Sequence, residues 1–237
     1  MILKKKVLIV IPARGGSKGI KLKNLKKIIN KSLLQITIDF SKSLKFADLI
    51  TVSSEHPKIL NVAKRNNLCL TIRNRKLSGD RVSDFDVLRH AISNVERKTN
   101  NEFDIIIYLQ PTSPFRKLRD VKRATEIMIK KNYDSVWSIN EVSCKFHPKK
   151  ILGIHKNKKL KLFTKSGEKI IARQQLKEIF IRNGLFYIFK KKKLLKEKKI
   201  YLKNIFPYLI KHDYVNIDDR NDLKKCKLLG IKKKYDF

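Results

Sequence analysis

The sequence predicts an α/β protein with a mostly parallel central sheet. Short apolar runs rich in β-branched residues alternate with segments of helical periodicity up to about His147, the order that βαβ units produce. The chain has 237 residues, of which 42% are hydrophobic, and this is enough for a sizeable core. No Gly/Ser/Pro-rich linker divides it, so we expect a single domain over residues 1–237.

Each predicted element rests on a local pattern. Val7–Ile11 is an apolar run that stops at Pro12, as a buried parallel strand does, and Asp104–Leu109 is the most apolar run of the chain. The predicted strands are Val7–Ile11, Leu49–Ser53, Leu68–Ile72, Asp104–Leu109, Ser135–Ile139 and Tyr214–Ile217, and the predicted helices are Leu33–Leu44, Pro57–Asn66, Ser83–Val95, Leu118–Lys131 and Leu223–Leu229. After His147 the chain becomes lysine-rich with short β-like runs, which predicts an arm or hairpin subdomain at about 145–182.

Charge and cysteine content argue against several classes of protein. The net charge is +36, but 44 of the 57 basic residues are lysine, whereas arginine carries most bidentate recognition of bases and phosphates. A polyanionic substrate fits this charge as well as a nucleic acid does, and we expect no specific nucleic-acid partner. Three distant cysteines predict neither a disulfide framework nor a zinc site. With no apolar run of membrane-spanning length, the sequence predicts a cytoplasmic protein.

Two unusual motifs follow predicted strands. Ile11 opens the glycine-rich, cationic segment IPARGGSKG, and Leu109 opens LQPTSP. In parallel sheets ligands bind beyond the carboxyl ends of the strands. Glycines let a backbone approach a ligand, and successive N–H groups can hold phosphate oxygens. The segment matches neither GxxxxGK[ST] nor GxGxxG, so an ordinary glycine turn is the alternative to a phosphate site.

The order of motifs along nearly the whole chain resembles the acylneuraminate cytidylyltransferases. These motifs are IPARGGSKGIKLKN, RNRKLSGD, LQPTSPFR, HPKK, ARQQ, RNGLFYIF and NIDDRND. The resemblance implies a Rossmann-like nucleotidyltransferase fold with a small dimerisation arm. It also implies a Mg²⁺-dependent reaction of CTP with a nine-carbon 2-keto sugar acid, which gives a CMP-sugar and pyrophosphate. A nucleotidyltransferase for another sugar or polyol phosphate and a basic nucleic-acid-binding protein are the alternatives.

The resemblance also implies which residues bind the nucleotide. Arg14 and Lys23 match the cations that hold the triphosphate, and they are the predicted catalytic residues together with Asp218. Lys18 is expected to be a lid charge or a solvated surface charge. Residues 82–84 are expected to contact the cytosine base, and the alternative is that Ser83 only caps the N-terminus of a helix. The complete predicted nucleotide-binding set is Ala13, Arg14, Gly15, Ser17, Lys23, Asn24, Arg73 and Asp80.

The sugar-binding residues are implied in the same way. Gln110 matches the family glutamine that hydrogen-bonds the sugar, although a turn residue before Pro111 is the alternative. Tyr187 lies on an apolar strand, where a tyrosine usually belongs to the core. The predicted sugar-binding set is Gln110, Lys150, Arg173, Asn183, Gly184 and Tyr187, of which Lys150 and Arg173 are expected to approach the sugar carboxylate partly across a dimer interface.

The predicted metal site lies in NIDDRND. Asp218 matches the second acidic position of a DxD-type motif, and Asn216 stands where the first acid is found in many relatives. Carboxylate oxygens suit Mg²⁺, and with a single carboxylate the ion is expected to arrive largely with CTP. Asp219 and Asp222 are predicted to be helix N-terminal charges. A homodimer is expected, in which Ile200 and Tyr201 lie near the sugar site of the partner subunit.

Overall fold

The computed structural model describes residues 1–156 and 158–232. Its strands are β1 (Val7–Pro12), β2 (Lys27–Ile28), β3 (Lys31–Ser32), β4 (Leu49–Ser54), β5 (Cys69–Ile72), β6 (Ile105–Tyr108), β7 (Ser135–Glu141), β8 (Leu152–Ile154), β9 (Leu160–Leu162), β10 (Phe180–Lys190) and β11 (Ile205–Leu209). Its α-helices are α1 (Leu33–Ser43), α2 (Pro57–Arg65), α3 (Asp84–Thr99), α4 (Leu118–Lys130), α5 (Lys191–Glu197) and α6 (Arg220–Lys232).

The central sheet has seven strands in the order β11-β7-β10-β6-β1-β4-β5. The neighbouring strands β5, β4, β1 and β6 run parallel, and β10 runs antiparallel to β6. Helices α1 to α4 lie in the connections between strands of this sheet. The predicted α/β class with a mostly parallel central sheet is confirmed.

Strands β1 and β6 form the middle of the sheet because their sequences are apolar on both faces. Every side chain from Val7 to Ile11 is fully buried, and the Leu88 face of α3 packs with Leu8 and Ile106 in one core cluster. Val10 lies opposite Tyr108 in the parallel register. The segments that follow β1 and β6 therefore begin side by side at one edge of the sheet.

The predicted strand at Tyr214–Ile217 is wrong. Its apolar side chains Val215 and Ile217 pack instead in a cluster with Phe115, and Ile217 N–H donates to the Thr112 carbonyl at 2.9 Å. One strand of the central sheet that the prediction missed is β11, which contains Pro207. A proline cannot donate a ladder hydrogen bond, and β11 occupies the edge of the sheet, where such a loss is tolerated.

The chain forms two compact units. The first contains Met1–Ser138, Asn183–Tyr208 and the described residues from His212 onward, and the second contains Ile139–Arg182 with Leu209–Lys211. The second unit includes the antiparallel pair β8–β9, and the predicted arm at about 145–182 falls within its bounds. Among the residues that the structure describes, no helix has the length and apolarity needed to cross a bilayer.

Candidate active site

The candidate site lies in the first unit, where the carboxyl ends of β1, β4 and β6 meet. Ala13 is buried and extends the pairing of β1, since its N–H donates to the Ser53 carbonyl at 2.9 Å. Leu109 N–H donates to the Val10 carbonyl at 3.1 Å, which ties the segment after β6 to β1. We call residues 13–24 the glycine loop.

The glycine loop is held by two residues that the sequence interpretation missed. Gly15 N–H donates to Glu55 Oε1 at 2.7 Å, and a Cβ on Gly15 would lie 2.6 Å from His56 Cδ2. Asn24 is buried and its Nδ2 donates to the Arg14 carbonyl at 2.9 Å, so its amide holds the loop backbone. Glu55 and His56 directly follow β4, and their place at a strand end is the signal that could have identified them. The Gly15 N–H is thus used inside the protein.

We predict that Gly15→Ala destabilises the protein while Gly16→Ala does not. The new methyl group of Gly15→Ala would overlap the His56 ring, and such overpacking typically costs about 1–3 kcal/mol in the free energy of unfolding. A Cβ on Gly16 would meet no atom within 4 Å. Denaturant unfolding of the two variants checks this difference. Equal stabilities for the two variants would contradict the described packing of His56 under the loop.

The cations of the glycine loop share one carboxylate. Asp80 accepts from Arg14 Nη1 at 2.7 Å and from Lys18 Nζ at 2.8 Å. Hydrogen bonds from Lys18 and Arg14 lower the pKa of Asp80 below its usual value. Asp80, predicted to bind the nucleotide, therefore neutralises two loop cations in this structure, and the half-buried Ser17 lies between them in sequence.

Arg73 is a buried cation at the end of β5. Its Nε donates to Ser53 Oγ at 2.8 Å and its Nη2 to the Ser53 carbonyl at 2.9 Å. Burial lowers the pKa of Arg73, and the charges of Tyr108 and Glu55 oppose this shift. Arg73, predicted to bind the nucleotide, therefore contacts Ser53 near the carboxyl end of β4.

The stretch predicted to approach cytosine begins α3. Ser83 is the N-cap, since its Oγ accepts from Asp86 N at 3.1 Å, and the N-cap alternative is confirmed. Asp84 Oδ1 accepts from Tyr108 Oη at 2.7 Å. Burial, and then the Asp84 charge, raise the pKa of Tyr108 well above its usual value. One oxygen of Asp84 is therefore committed to the protein's own core.

Gln110, Ser113, Gly184 and Asn216 come together in what we call the amide cluster. Gly184 adopts a φ of +73°, and a Cβ there would lie 2.7 Å from Ser113 Oγ, 3.1 Å from Gln110 Oε1 and 3.4 Å from Asn216 Oδ1. Ser113 Oγ lies 3.1 Å from the Asn183 carbonyl oxygen and 3.1 Å from Asn216 Oδ1, and these two acceptors share its single proton. The structure thus joins the segment after β6 to β10 and to the NIDDRND motif. Ser113 was missed, although it lies within LQPTSP.

The side chains of the remaining predicted sugar residues are buried in the protein or belong to the second unit. Asn183 is fully buried, and its Oδ1 accepts from Ser138 Oγ at 2.6 Å and from Leu185 N at 3.0 Å. Tyr187 belongs to the core cluster of the sheet, with its ring 5.2 Å from that of Trp137. Lys150 and Arg173 are exposed residues of the second unit.

Arg116 holds the backbone of the amide cluster through hydrogen bonds. It is buried, and its guanidinium donates to the carbonyls of Gln110 and Leu185 and, at 3.4 Å, to Thr37 Oγ1. Burial lowers the pKa of Arg116 to about 9. In the described part of the chain it forms no ion pair, and its charge is stabilised by these neutral oxygens and by the Phe40 ring, whose centroid lies 5.9 Å from Arg116 Cζ. No role was predicted for Arg116, although it closes the LQPTSPFR motif.

The segment 216–218 connects the amide cluster to the glycine loop. Lys23 Nζ donates to the Ile217 carbonyl at 2.5 Å and lies 3.3 Å from Asp218 Oδ1. The Lys23 side chain is 14% exposed, whereas that of Asp218 is 77% exposed. Gly19 packs against the same segment, since a Cβ there would lie 2.8 Å from the Asp218 carbonyl oxygen.

Asp219 and Asp222 exchange hydrogen bonds at the N-terminus of the helix that follows, with Asp219 as the capping residue. Asp222 Oδ2 accepts from Asp218 N at 3.1 Å and from Asp219 N at 3.3 Å, and Asp219 Oδ1 accepts from Asp222 N at 2.9 Å. The predicted placement of both acids at a helix N-terminus is confirmed.

Asp218 is the group at this site that fits magnesium. Its exposed carboxylate is the hard oxygen ligand that Mg²⁺ prefers. Within the described residues no cluster of three or more His, Cys, Asp or Glu side chains could hold a metal ion. The donor set therefore fits a site in which the protein supplies one carboxylate and other molecules supply the remaining oxygens.

Two solved structures share this fold. A CMP:2-keto-3-deoxy-manno-octonic acid synthetase solved with CTP superposes with a TM-score of 0.69 at 18% identity, over 96% of this chain and 99% of that one. A putative glucose-1-phosphate thymidylyltransferase from Bacillus anthracis superposes with a TM-score of 0.62 at 12% identity, over 98% of this chain and 97% of that one.

The chain belongs to the cytidylyltransferase family, whose model matches residues 8–230. It is 29% identical over 220 residues to an N-acylneuraminate cytidylyltransferase of Streptococcus agalactiae serotype III (strain NEM316), covering 92% of this chain and 51% of that protein. It thus spans about half the length of the first curated relatives it matches. It is also 28% identical to the post-translational flagellin modification protein B of Campylobacter coli, over 96% of each chain.

Proposed function

We propose that this protein transfers the cytidylyl group of CTP to a hydroxyl of a nine-carbon 2-keto sugar acid, releasing pyrophosphate. The observation that carries the proposal is the segment 216–218, which contacts Lys23 on one side and Ser113 on the other. It joins a cationic loop suited to a triphosphate to a cluster of amides suited to a sugar. Membership of the cytidylyltransferase family supports CTP as the donor, and the Streptococcus agalactiae relatives support a sialic acid-like acceptor.

On the phosphate side, Arg14 and Lys23 stabilise charge. Attack of the sugar hydroxyl oxygen on the α-phosphorus forms one P–O bond and breaks the bond to the β-phosphate, so negative charge grows on phosphate oxygens. Cations held in place before the reaction lower the energy of that state without reorganising. Lys23 is held in this way by the Ile217 carbonyl and the Asp218 carboxylate. Without nucleotide, Arg14 forms an ion pair with Asp80, and a more highly charged triphosphate would compete with Asp80 for the Arg14 guanidinium.

On the sugar side, the amide cluster orients the acceptor. The Gln110 side chain reaches the Gly184 backbone, and the absence of a side chain at Gly184 lets Ser113 and Gln110 approach that backbone closely. Positioning of the attacking hydroxyl supplies much of the rate in such transfers. The hydroxyl proton passes to the Asp218 carboxylate or to a water beside it.

Asp218 would hold a magnesium ion at this site. When bound, the ion would neutralise charge on the triphosphate. We propose that it arrives largely with the nucleotide, since the protein offers one carboxylate.

The proposal is tested by pyrophosphate release from the purified protein with magnesium. CTP, UTP and ATP are each incubated with N-acetylneuraminic, legionaminic or pseudaminic acid, and in parallel with a sugar phosphate. Release that requires both CTP and a sugar acid supports the proposal. Release with CTP and a sugar phosphate, but with none of the sugar acids, overturns it in favour of a different acceptor.

We propose further that the protein is a homodimer that assembles through the second unit. That unit exposes large apolar side chains, among them Ile154 (78% exposed), Phe163 (71%) and Ile171 (93%). Exposed apolar surface of this kind marks interfaces between proteins.

We predict that Ile154→Lys combined with Ile171→Lys yields a monomer in sedimentation velocity at assay concentration, while the unaltered chain sediments as a dimer. Ile231→Lys is the matched control, because Ile231 is 65% exposed but belongs to the first unit, and it should leave the dimer intact. A monomeric, fully active unaltered protein would contradict the proposal.

A further inference from the structure

We propose that Arg116 is a positioning residue for the acceptor, because it fixes the place of Gln110 relative to Gly184. The inference rests on the function proposed above and specifies how the acceptor side of the site is held together. Arg116 acts through the backbone on both sides of the amide cluster, and its own side chain is buried in the protein.

The first argument is the point at which the pairing of β10 with β6 stops. The antiparallel register runs from Lys190, opposite Ile105, to Tyr187, opposite Tyr108. Tyr108 is the last residue of β6, so the part of β10 before Tyr187 extends beyond the end of that strand. Buried carbonyls there that point toward the β6 side need other donors, because buried backbone groups are almost always paired.

Arg116 and Ser113 take over this pairing on either side of Gly184. Arg116 Nε donates to the Leu185 carbonyl at 2.5 Å, and Ser113 Oγ lies 3.1 Å from the Asn183 carbonyl oxygen. These two side chains belong to the segment that follows β6. They therefore hold the β10 backbone directly before and directly after Gly184 against that segment.

The second argument is that the same guanidinium holds Gln110. Arg116 Nη2 donates to the Gln110 carbonyl, which also accepts from Ser113 N–H at 3.2 Å and so closes a tight turn. Arg116 Nη1 donates to Thr37 Oγ1 of α1 at 3.4 Å. A single planar group thus joins the turn after β6, the β10 backbone and α1, and leaves little freedom between Gln110 and Gly184.

The third argument is the cost of placing a charge here. Arg116 has no carboxylate partner among the residues that the structure describes. A buried charge without such a partner is expensive, and buried ionic groups can often be replaced by apolar side chains without loss of stability. What arginine supplies is a fixed fork of N–H donors that reaches two carbonyls at once, whereas lysine has a single ammonium group. The geometry of the amide cluster is what this fork maintains.

The test compares Arg116→Lys and Arg116→Met with the control Arg119→Met in steady-state kinetics. Arg116→Lys keeps the charge but not the fork, and we expect it to lower kcat/KM for the sugar acid about tenfold. Arg116→Met removes both carbonyl contacts and should lower it about a hundredfold, the loss typical of a displacement of about 1 Å. The Arg119 side chain is 80% exposed on α4, so its replacement should leave the kinetics unchanged.

Calorimetric titration of CTP separates positioning of the acceptor from a general loss of structure. Lys23 and Arg14 are held by residues other than Arg116. Both Arg116 variants should therefore bind CTP within about threefold of the unaltered protein. A purely structural role would weaken CTP binding and the use of the sugar acid together.

Normal sugar kinetics in Arg116→Lys would overturn the inference and leave the proposed function intact. Equal losses in CTP binding and in kcat/KM for the sugar acid would overturn it in the same way. If Arg116→Met does not fold, Arg116→Lys decides the question alone. Absence of turnover in the unaltered protein, with CTP and every sugar acid tested, would overturn both the inference and the proposed function.

Discussion

Lys23→Ala is expected to lower kcat by about 10²–10³-fold, the loss typical of one charged group that stabilises a transition state. The side chain of Lys23 is only 14% exposed. Its Nζ contacts the Ile217 carbonyl and the Asp218 carboxylate, and these two acceptors fix its position. Arg14→Ala is expected to have an effect of similar size. Steady-state kinetics with saturating CTP and sugar acid measure both effects.

Lys21→Ala is the matched control for these variants. Lys21 lies in the same loop and is exposed, so its removal changes the net charge equally without removing an ordered contact. We expect its kcat within about threefold of the unaltered protein, as for most surface substitutions. Near-normal turnover in both Lys23→Ala and Arg14→Ala would remove the glycine loop from the mechanism.

Gly184→Ala is expected to lower kcat/KM for the sugar acid by about 10²-fold or more, since a displacement of about 1 Å in a positioned group can cost this much. The left-handed backbone at φ +73° disfavours any side chain, and the new methyl group would lie 2.7 Å from Ser113 Oγ. Ser113 must then move, and its hydrogen bonds to Asn183 and Asn216 are strained with it.

Gly153→Ala is the control for a general effect of glycine replacement. A Cβ on Gly153 would meet no atom within 4 Å. We expect normal kinetics for this variant. Normal sugar kinetics in Gly184→Ala as well would contradict the assignment of the amide cluster to the acceptor.

Much of the fold follows from local sequence patterns. Val7–Ile11 is apolar at every position, and a run of this kind is buried on both faces wherever the sheet places it. The convergence of the segments after β1 and β6 was predictable as well, because parallel strands present their carboxyl ends at one edge. The segment 214–217 shows the limit of such patterns. Its apolar side chains pack in the cluster around Phe115 without pairing in the sheet, and periodicity does not distinguish these two outcomes.

The supporting residues of the site were beyond local patterns. Arg116 holds carbonyls of residues 110 and 185, and Glu55 holds an N–H of Gly15, so each role depends on chain segments far apart in sequence. A charged side chain is usually exposed, and nothing in the composition around Arg116 marks it as buried. The roles of Asn216 and Asp218 were equally hidden, because two positions apart in one motif they contact Ser113 and Lys23 respectively.

The most direct test of the central claim is the identity of the product. The purified protein is incubated with CTP, magnesium and a nine-carbon 2-keto sugar acid, and the mixture is analysed by mass spectrometry and ³¹P NMR. We expect a compound with the mass of CMP joined to the sugar acid, one phosphodiester resonance, and an equal amount of pyrophosphate. Release of CMP or CDP without a sugar conjugate, for every sugar acid tested, would contradict the proposed function.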